Sequence, residues 1–406
     1  MLNNYRRLWL GYSVSTIGDG VTLTAGPLLV ASLTHDPLLV AGALFVQRLP
    51  WLLFSLVSGV FVDRLDRRRL IAIVDLTRAV IVGGLALAIA TEGATVDELY
   101  VALFLLGTGD TLATTATLAL LPSTVGPDGL HRANAQMQGS RVVGQDLSAP
   151  PFGAWLFVLT PALPFAFDSV TFVVAGLLGL ALRTPRQPPR PADAPQTSVR
   201  ADIAEGLHFL WRQPTLRMLA VCICLMNVTF DGTAAPFVLF ARERLGLGPQ
   251  GYGLLLALGG VGSLIGAGSV GWLVRRFGTS MLLRTGLVVE TSTHLVLALT
   301  RSPLVAGAIM ALFGVHAAIW SVVTVTLRQR LVPNELLGRV SSAYALFSVG
   351  GSAVGALCGG ILAHDFGITA PFWFAFVVVG GLTLAALRLF SPARLSTSEP
   401  GAAPAS

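Results

Sequence analysis

Seven acids and bases of this 406-residue chain stand inside long apolar stretches: Asp19, Arg48, Asp110, Arg141, Asp146, Asp231 and Glu290. A charge at the centre of a hydrocarbon layer costs about 2.5–3.5 kcal/mol unless it meets water or a partner. Each therefore marks a place for a polar ligand, a proton or an opposite charge. Asp19 and Asp231 each precede a glycine, and they read either as proton or substrate sites or as caps of a broken helix. Gln138, Arg141 and Gln145 recur at spacings of three and four and share one helical face. Glu290 and His294 are an i, i+4 pair, either a proton relay or an interhelical contact. His316 joins them because imidazole titrates in the physiological range. Asp168 reads as a helix cap or gate residue near the outer end of its segment. Cys222, Cys224 and Cys358 lie in apolar runs as small core residues, and no metal site or organic cofactor is implied.

The elements that must position these groups are membrane spans. Hydrophobic residues make up 53% of the chain and charged ones 12%, with a mean hydropathy of +0.73, far too little charge for a soluble domain of this length. A span needs about 20 apolar residues. That ruler predicts twelve helices near 8–33, 38–62, 70–90, 99–121, 137–160, 164–182, 215–240, 250–274, 281–300, 303–327, 340–364 and 370–389. The first is too long, and too closely followed by a second, for a cleaved leader. All 27 basic residues are arginine, and 21 of them flank the ends that share a side with the N-terminus, against three on the other side, Arg242, Arg244 and Arg301. The positive-inside rule then places both termini in the cytoplasm. The arginines form no basic face beside aromatic platforms, so nucleic acid is not a partner.

Five prolines between Arg183 and Ser198 end the sixth helix and make a linker. Beyond it Ile203, Leu207, Leu210 and Trp211 recur at helical spacing, the mark of an amphipathic helix at the inner interface. The expected organisation is a six-helix half over 1–182, a linker with that helix over 183–214, a second half over 215–390 and a disordered tail over 391–406.

The two halves are copies. Asp19-Gly20 and Gly59 to Arg64 return 212 positions later as Asp231-Gly232 and Gly271 to Arg276. Further on the shift is 206: Gly144 and Gly153 face Gly350 and Gly359, and Asp110 faces His316. Gly59-x-x-x-Asp63-Arg64-x-x-Arg67-Arg68, at the end of the second segment, resembles the signature loop of the major facilitator superfamily, Gly-x-x-x-Asp-Arg-x-Gly-Arg-Arg. Asp66 stands where that pattern favours glycine, so the turn need not be left-handed. The resemblance implies that Asp63 latches a cytoplasmic gate while Arg64, Arg67 and Arg68 fix topology or pair with Asp66 or Asp75. In the fifth segment Pro150, Pro151 and Gly153 resemble the Gly-Pro-x-x-Gly-Gly of drug antiporters, with alanines replacing the outer glycines. The prolines should kink the helix, and its small residues should let it slide against the eleventh.

Gly18-Asp19-Gly20, Gln47-Arg48-Leu49-Pro50 and Val332 to Val340 look like the branch that contains enterobactin exporters and macrolide efflux proteins. The resemblance implies a transporter in a bacterial cytoplasmic membrane, with the major facilitator fold of two parallel six-helix repeats, and because one chain supplies both halves of the cavity the fold can work as a monomer. It implies export of a drug, antibiotic or siderophore, generally against protons. A metabolite importer, a lysophospholipid or lipid flippase of the same fold, and a non-transporting receptor remain as alternatives. Drug antiporters commonly carry an arginine in the fourth segment. Here that stretch reads Leu106-Gly107-Thr108-Gly109-Asp110, so Arg48, Arg78 or Arg141 would have to supply the cation. No Walker loop, filter ring or nucleophile and base pattern points to a pump, channel or enzyme.

Overall fold

The computed structural model describes residues 2–126, 129–183, 199–333 and 336–389. All regular structure among them is helical. Nine described helices are long and apolar enough to cross a membrane, one of them the 51-residue Pro249–Leu299. That rod is two spans joined at Gly278, where φ is +78°. With residues 130–159 and Ala370–Leu389, the count reaches twelve.

In chain order the helices are α1 (Leu2–Leu33), α2 (Pro37–Arg64), α3 (Arg67–Ala90), α4 (Val96–Val125), α5 (130–159) and α6 (Leu163–Leu180). The short α7 (Val199–Arg212) follows, then α8 (214–244), α9 (249–277), α10 (279–299), α11 (Pro303–Leu331), α12 (Leu337–Phe366) and α13 (Ala370–Leu389). By contacts the chain forms two compact units, Met1–Ala194 with Val238–Ala257 and Pro195–Phe237 with Leu258–Ser406. The linker beyond Arg183 and the tail lie outside the described residues.

Local sequence explains where the helices start. Asp36 caps α2 by accepting from Leu38 N at 2.8 Å, with Pro37 in the first turn where its missing amide hydrogen costs nothing. Thr95 and Glu98 form a reciprocal capping box on α4, with bonds of 3.3 and 3.0 Å. Asp66 caps α3 at φ −67° and ψ 104° through Arg68 N and Arg69 N, so its backbone is extended and not left-handed, as its aspartate allows. Its counterpart in the second copy is Gly278, whose positive φ only glycine adopts without strain. Two of the signature arginines reach carbonyls near the ends of other helices. Arg67 Nη1 donates to Ala119 O in the last two turns of α4 at 3.0 Å, and Arg68 Nη1 to Leu182 O just beyond α6 at 2.7 Å, placing cations near helix C-termini. Asp66 Oδ2 lies 4.0 Å from Arg68 Nη2, and Asp75 pairs with Arg78 of its own helix.

In α5 the structure departs from the simple kinked span. The helix begins at Leu130, seven residues before the apolar run that marked it, because its first turns are polar yet still helical. Its double proline is met by a π-helical turn over Val142–Ser148, in which Ala149 N reaches back to Gly144 O. The wider coil makes room for proline rings that would strike an α-helical carbonyl. The glycines of α5 and α12 make close contacts inside their own units. Gly153 lies against Val21 of α1, where an added Cβ would approach its backbone to 3.1 Å. Gly351, Gly355 and Gly359 of α12 lie against Cys224, Val228 and Gly232 of α8. Small residues thus serve the close helix pairs within each unit.

In the second unit α7 packs on α12. Leu210 is wholly buried in a core with Leu216, Val340 and Tyr344. Trp211 stacks on Phe347 with centroids 5.8 Å apart, and Arg339 Nη1 donates to Glu205 Oε2 at 2.5 Å.

Candidate functional site

The first unit holds a cavity of about 320 Å³ lined by residues of α1 to α6. Its buried wall centres on Arg78 of α3. Arg78 Nη2 donates to Asp19 Oδ1 of α1, and Nη1 lies 3.9 Å from Asp75 Oδ1 one turn earlier in the same helix. The guanidinium also stacks over Phe172 of α6, 4.0 Å from the ring centre, an arrangement that favours a cation. Asp168 completes the cluster. It is 1% exposed and accepts from Thr22 Oγ1 at 2.6 Å and Thr171 Oγ1 at 3.0 Å.

Glycines make this convergence possible. A Cβ on Gly109 of α4 would sit 2.7 Å from Arg78 Cδ, so the stem of Arg78 occupies space that any larger residue would fill. The cation absent from α4 therefore comes from α3 and lies against the glycine. Gly18 likewise leaves room for Asp168 and Thr171.

Farther along the cavity, Asp110 accepts from Trp51 Nε1 at 2.9 Å and from Thr114 Oγ1 at 3.3 Å. Arg48, Arg141 and Gln145 line the same space, with Arg48 and Arg141 exposed. Gln138 and Asp146 fall outside its lining. The π turn begins at Val142 and contains Gln145; of the Gln138, Arg141, Gln145 set, Arg141 and Gln145 line the cavity. Pro150 is buried and Pro151 half-buried just beyond that turn.

Three readings from the sequence are corrected here. Asp19 lies in the middle of an unbroken α1 and is no helix cap. Asp168 lies in the second turn of α6, buried beside Thr22, and is a cavity residue. Asp75 pairs inside the membrane with Arg78. Sequence inspection named Arg78 only as one of three possible cations, and the available signal was Asp75 three residues before it.

In the second unit Glu290 of α10 pairs with His316 of α11, Oε2 to Nε2 at 3.1 Å, with the two residues 1% and 6% exposed. The expected Glu290–His294 pair does not form. His294 is 2% exposed and neither ring nitrogen has a hydrogen-bond partner. Asp231 is buried on α8. The side chains of Gly59, Asp63 and Arg64 lie outside the described residues. No group of three metal-ligating side chains occurs among the described residues.

The model of the family described as the Major Facilitator Superfamily matches residues 8–356, with a further match over 229–405. The chain belongs to that superfamily. It is 26% identical over 410 residues to the "Enterobactin exporter EntS" of Citrobacter koseri, covering 98% of this chain and 95% of that protein. Among solved structures, a point mutant of the nucleoside transporter NupG superposes with a TM-score of 0.77 at 10% identity, covering 95% of this chain and all of that one. A bacterial homologue of the iron transporter ferroportin, in its inward-facing state, gives 0.76 at 18% identity over 96% of this chain and 99% of that one. These likenesses show the fold. This superfamily member is an all-α, multi-pass membrane transporter, and its buried Arg78 cluster lies within the first six spans.

Proposed function

We propose that this transporter exports a small molecule by alternating access, in exchange for protons. The observation that carries the reading is the Arg78 cluster, where the carboxylates of Asp19, Asp75 and Asp168 gather about a single guanidinium, with Asp75, Arg78 and Asp168 buried and Asp19 partly open to the cavity. Buried charge must be compensated, and a proton is the smallest group that can balance the excess of acid. Taking up or releasing one changes the charge of the cavity wall by one unit, and that change is felt by any charged ligand in the same space.

The cavity favours an anionic substrate. Its acids are each engaged by donors of the protein, and the exposed residues Arg48 and Arg141 line it beside Gln47, Gln145, Tyr12 and Trp51. Arginine forks and aromatic faces bind planar anionic groups well, in keeping with relatives named for export of enterobactin. In this reading both termini are cytoplasmic, the monomer is the working unit, and Asp63 latches the inner gate.

The test is transport in proteoliposomes under an imposed proton gradient, with a catecholate siderophore and a cationic amphipathic drug as the two probes. Gradient-dependent movement of the anionic probe, with matching counterflow of protons, is expected. Accumulation that ignores every ion gradient and follows ATP alone would overturn the mechanism. Preference for the cationic drug would overturn the substrate class.

A further inference from the structure

The second unit contains a cleft of about 920 Å³ between the α9–α10 junction and α11. Its walls are of two kinds. Phe277, Met281, Val288 and Val322 form an apolar side, and these four are 44%, 51%, 48% and 42% exposed in the isolated molecule. Surfaces of that kind on a membrane span face acyl chains. The other side carries Arg284 and Arg330, and no carboxylate occurs among the described lining residues. Arg284 Nε is buried with no hydrogen-bond partner, so the protein does not fully satisfy this guanidinium at the wall of the cleft. Arg275 and Arg276 stand at the same end of α9, and the excess of arginine assigns that end to the cytoplasmic leaflet.

We propose that this cleft binds one anionic phospholipid of the surrounding bilayer. Its phosphate would lie on Arg284 and Arg330, and an acyl chain would run along Met281, Val288 and Val322. A guanidinium matches phosphate oxygens in a two-pronged geometry, and basic pockets between spans on the cytoplasmic side suit acidic headgroups. A soluble anion would use the arginines but leave the exposed apolar wall uncovered. A neutral lipid would use the wall but bring no net negative charge to a cleft lined by two arginines. Only an acidic lipid satisfies both. The junction also holds the left-handed Gly278, so a lipid seated there would brace the place where α9 turns into α10.

The experiment is native mass spectrometry of the delipidated full chain, titrated in mild detergent with phosphatidylglycerol, phosphatidylcholine or glycerol 1-phosphate. One phosphatidylglycerol adduct per chain is expected, at least tenfold tighter than phosphatidylcholine and not displaced by glycerol 1-phosphate. In R284Q/R330Q it should fall to the phosphatidylcholine level. Val288→Trp fills the apolar side without touching a charge and should weaken the same adduct, which keeps the test decisive if the double variant fails to fold. Equal binding of the two lipids by the unaltered chain, or a phosphatidylglycerol adduct that survives V288W and R284Q/R330Q alike, would overturn the proposal. Displacement by glycerol 1-phosphate would replace the lipid with a simple phosphate site.

Discussion

Replacing Arg78 with glutamine should damage both stability and transport, and the damage should depend on pH. The substitution removes the partner of Asp19 and the cation over Phe172. Breaking a buried pair costs about 3–5 kcal/mol, mostly through the charge left behind. The Asp19 side chain keeps 24% exposure toward the cavity, which places the cost at the lower end. The chain can avoid an unpartnered carboxylate by binding a proton. From an ordinary carboxyl value of ~3.9, at 1.36 kcal/mol per pH unit, that costs about 4 kcal/mol at pH 7 and about 2 kcal/mol at pH 5.5. The deficit should therefore shrink on acidification. At ~2–4 °C per kcal/mol for a unit of about 200 residues, the apparent melting temperature falls on the order of 10 °C at pH 7, and about half as much at pH 5.5. Fluorescence-detected gel filtration after heating, run at both pH values on R78Q and the unaltered protein, measures this directly. An R78Q protein that melts and transports normally at pH 7 refutes the central role of Arg78. A loss of equal size at both pH values refutes the charge argument and leaves only lost packing.

Asp19→Asn should leave the protein folded but remove most of the pH dependence of transport, and a D19N protein with an unchanged pH profile in proteoliposomes would reassign the proton to Asp75 or Asp168. Gly359→Leu should push α12 off Gly232 of α8 and cost at least the 1–3 kcal/mol usual for overpacking; a normal melting temperature would show that the two helices can part freely. Glu290→Gln should destabilise the second unit by leaving His316 without its acid, by roughly 3 kcal/mol if the pair is charged, and an unchanged melting curve from pH 6 to 8 would rule out a charged pair. Asp63→Asn should impair turnover at normal membrane levels, since the neighbouring arginines still direct insertion, and full activity would remove the latch.

The twelve spans were legible because hydrocarbon thickness sets an apolar length that any window can measure. The caps at Asp36, Asp66 and Thr95 follow from side chains that reach only their own helix. The partner of Asp19 was not legible. Whether Arg48, Arg78 or Arg141 meets it depends on the rotation of separate helices about their axes, and the glycine that admits Arg78 lies on a third helix. Asp168 was misplaced for a related reason: an acid six residues into a span looks like an end residue until its burial is known. Glu290 and His294 share a helical face in sequence, yet the neighbour with the better geometry is on α11.

The π turn in α5 breaks the internal symmetry of the protein. Beyond it, five of the six buried residues, Ala149, Pro150, Gly153, Ala154 and Phe157, correspond under the 206-residue shift to Gly355, Ala356, Gly359, Gly360 and Ala363, all buried in α12. Before it the correspondence slips. The described buried positions are Ala133 and Met137 before the turn and Gly144 within it, whereas α12 buries Val340, Ala343, Tyr344 and Gly351; Val340 and Gly351 each fall one residue later than the shift requires, and Met137 is met by the adjacent pair Ala343 and Tyr344. One residue is about 100° of helix rotation. A π turn holds one residue more than an α turn, which accounts for the slip at Val340 and Gly351. Counted across that extra residue, Gln138 and Arg141 match Ala345 and Ser348, and not the aromatic Tyr344 and Phe347 that the 206-residue shift pairs with them. The duplicated ancestor has been made asymmetric here by a change of phase, which leaves both copies intact as helices while presenting a different set of side chains from each.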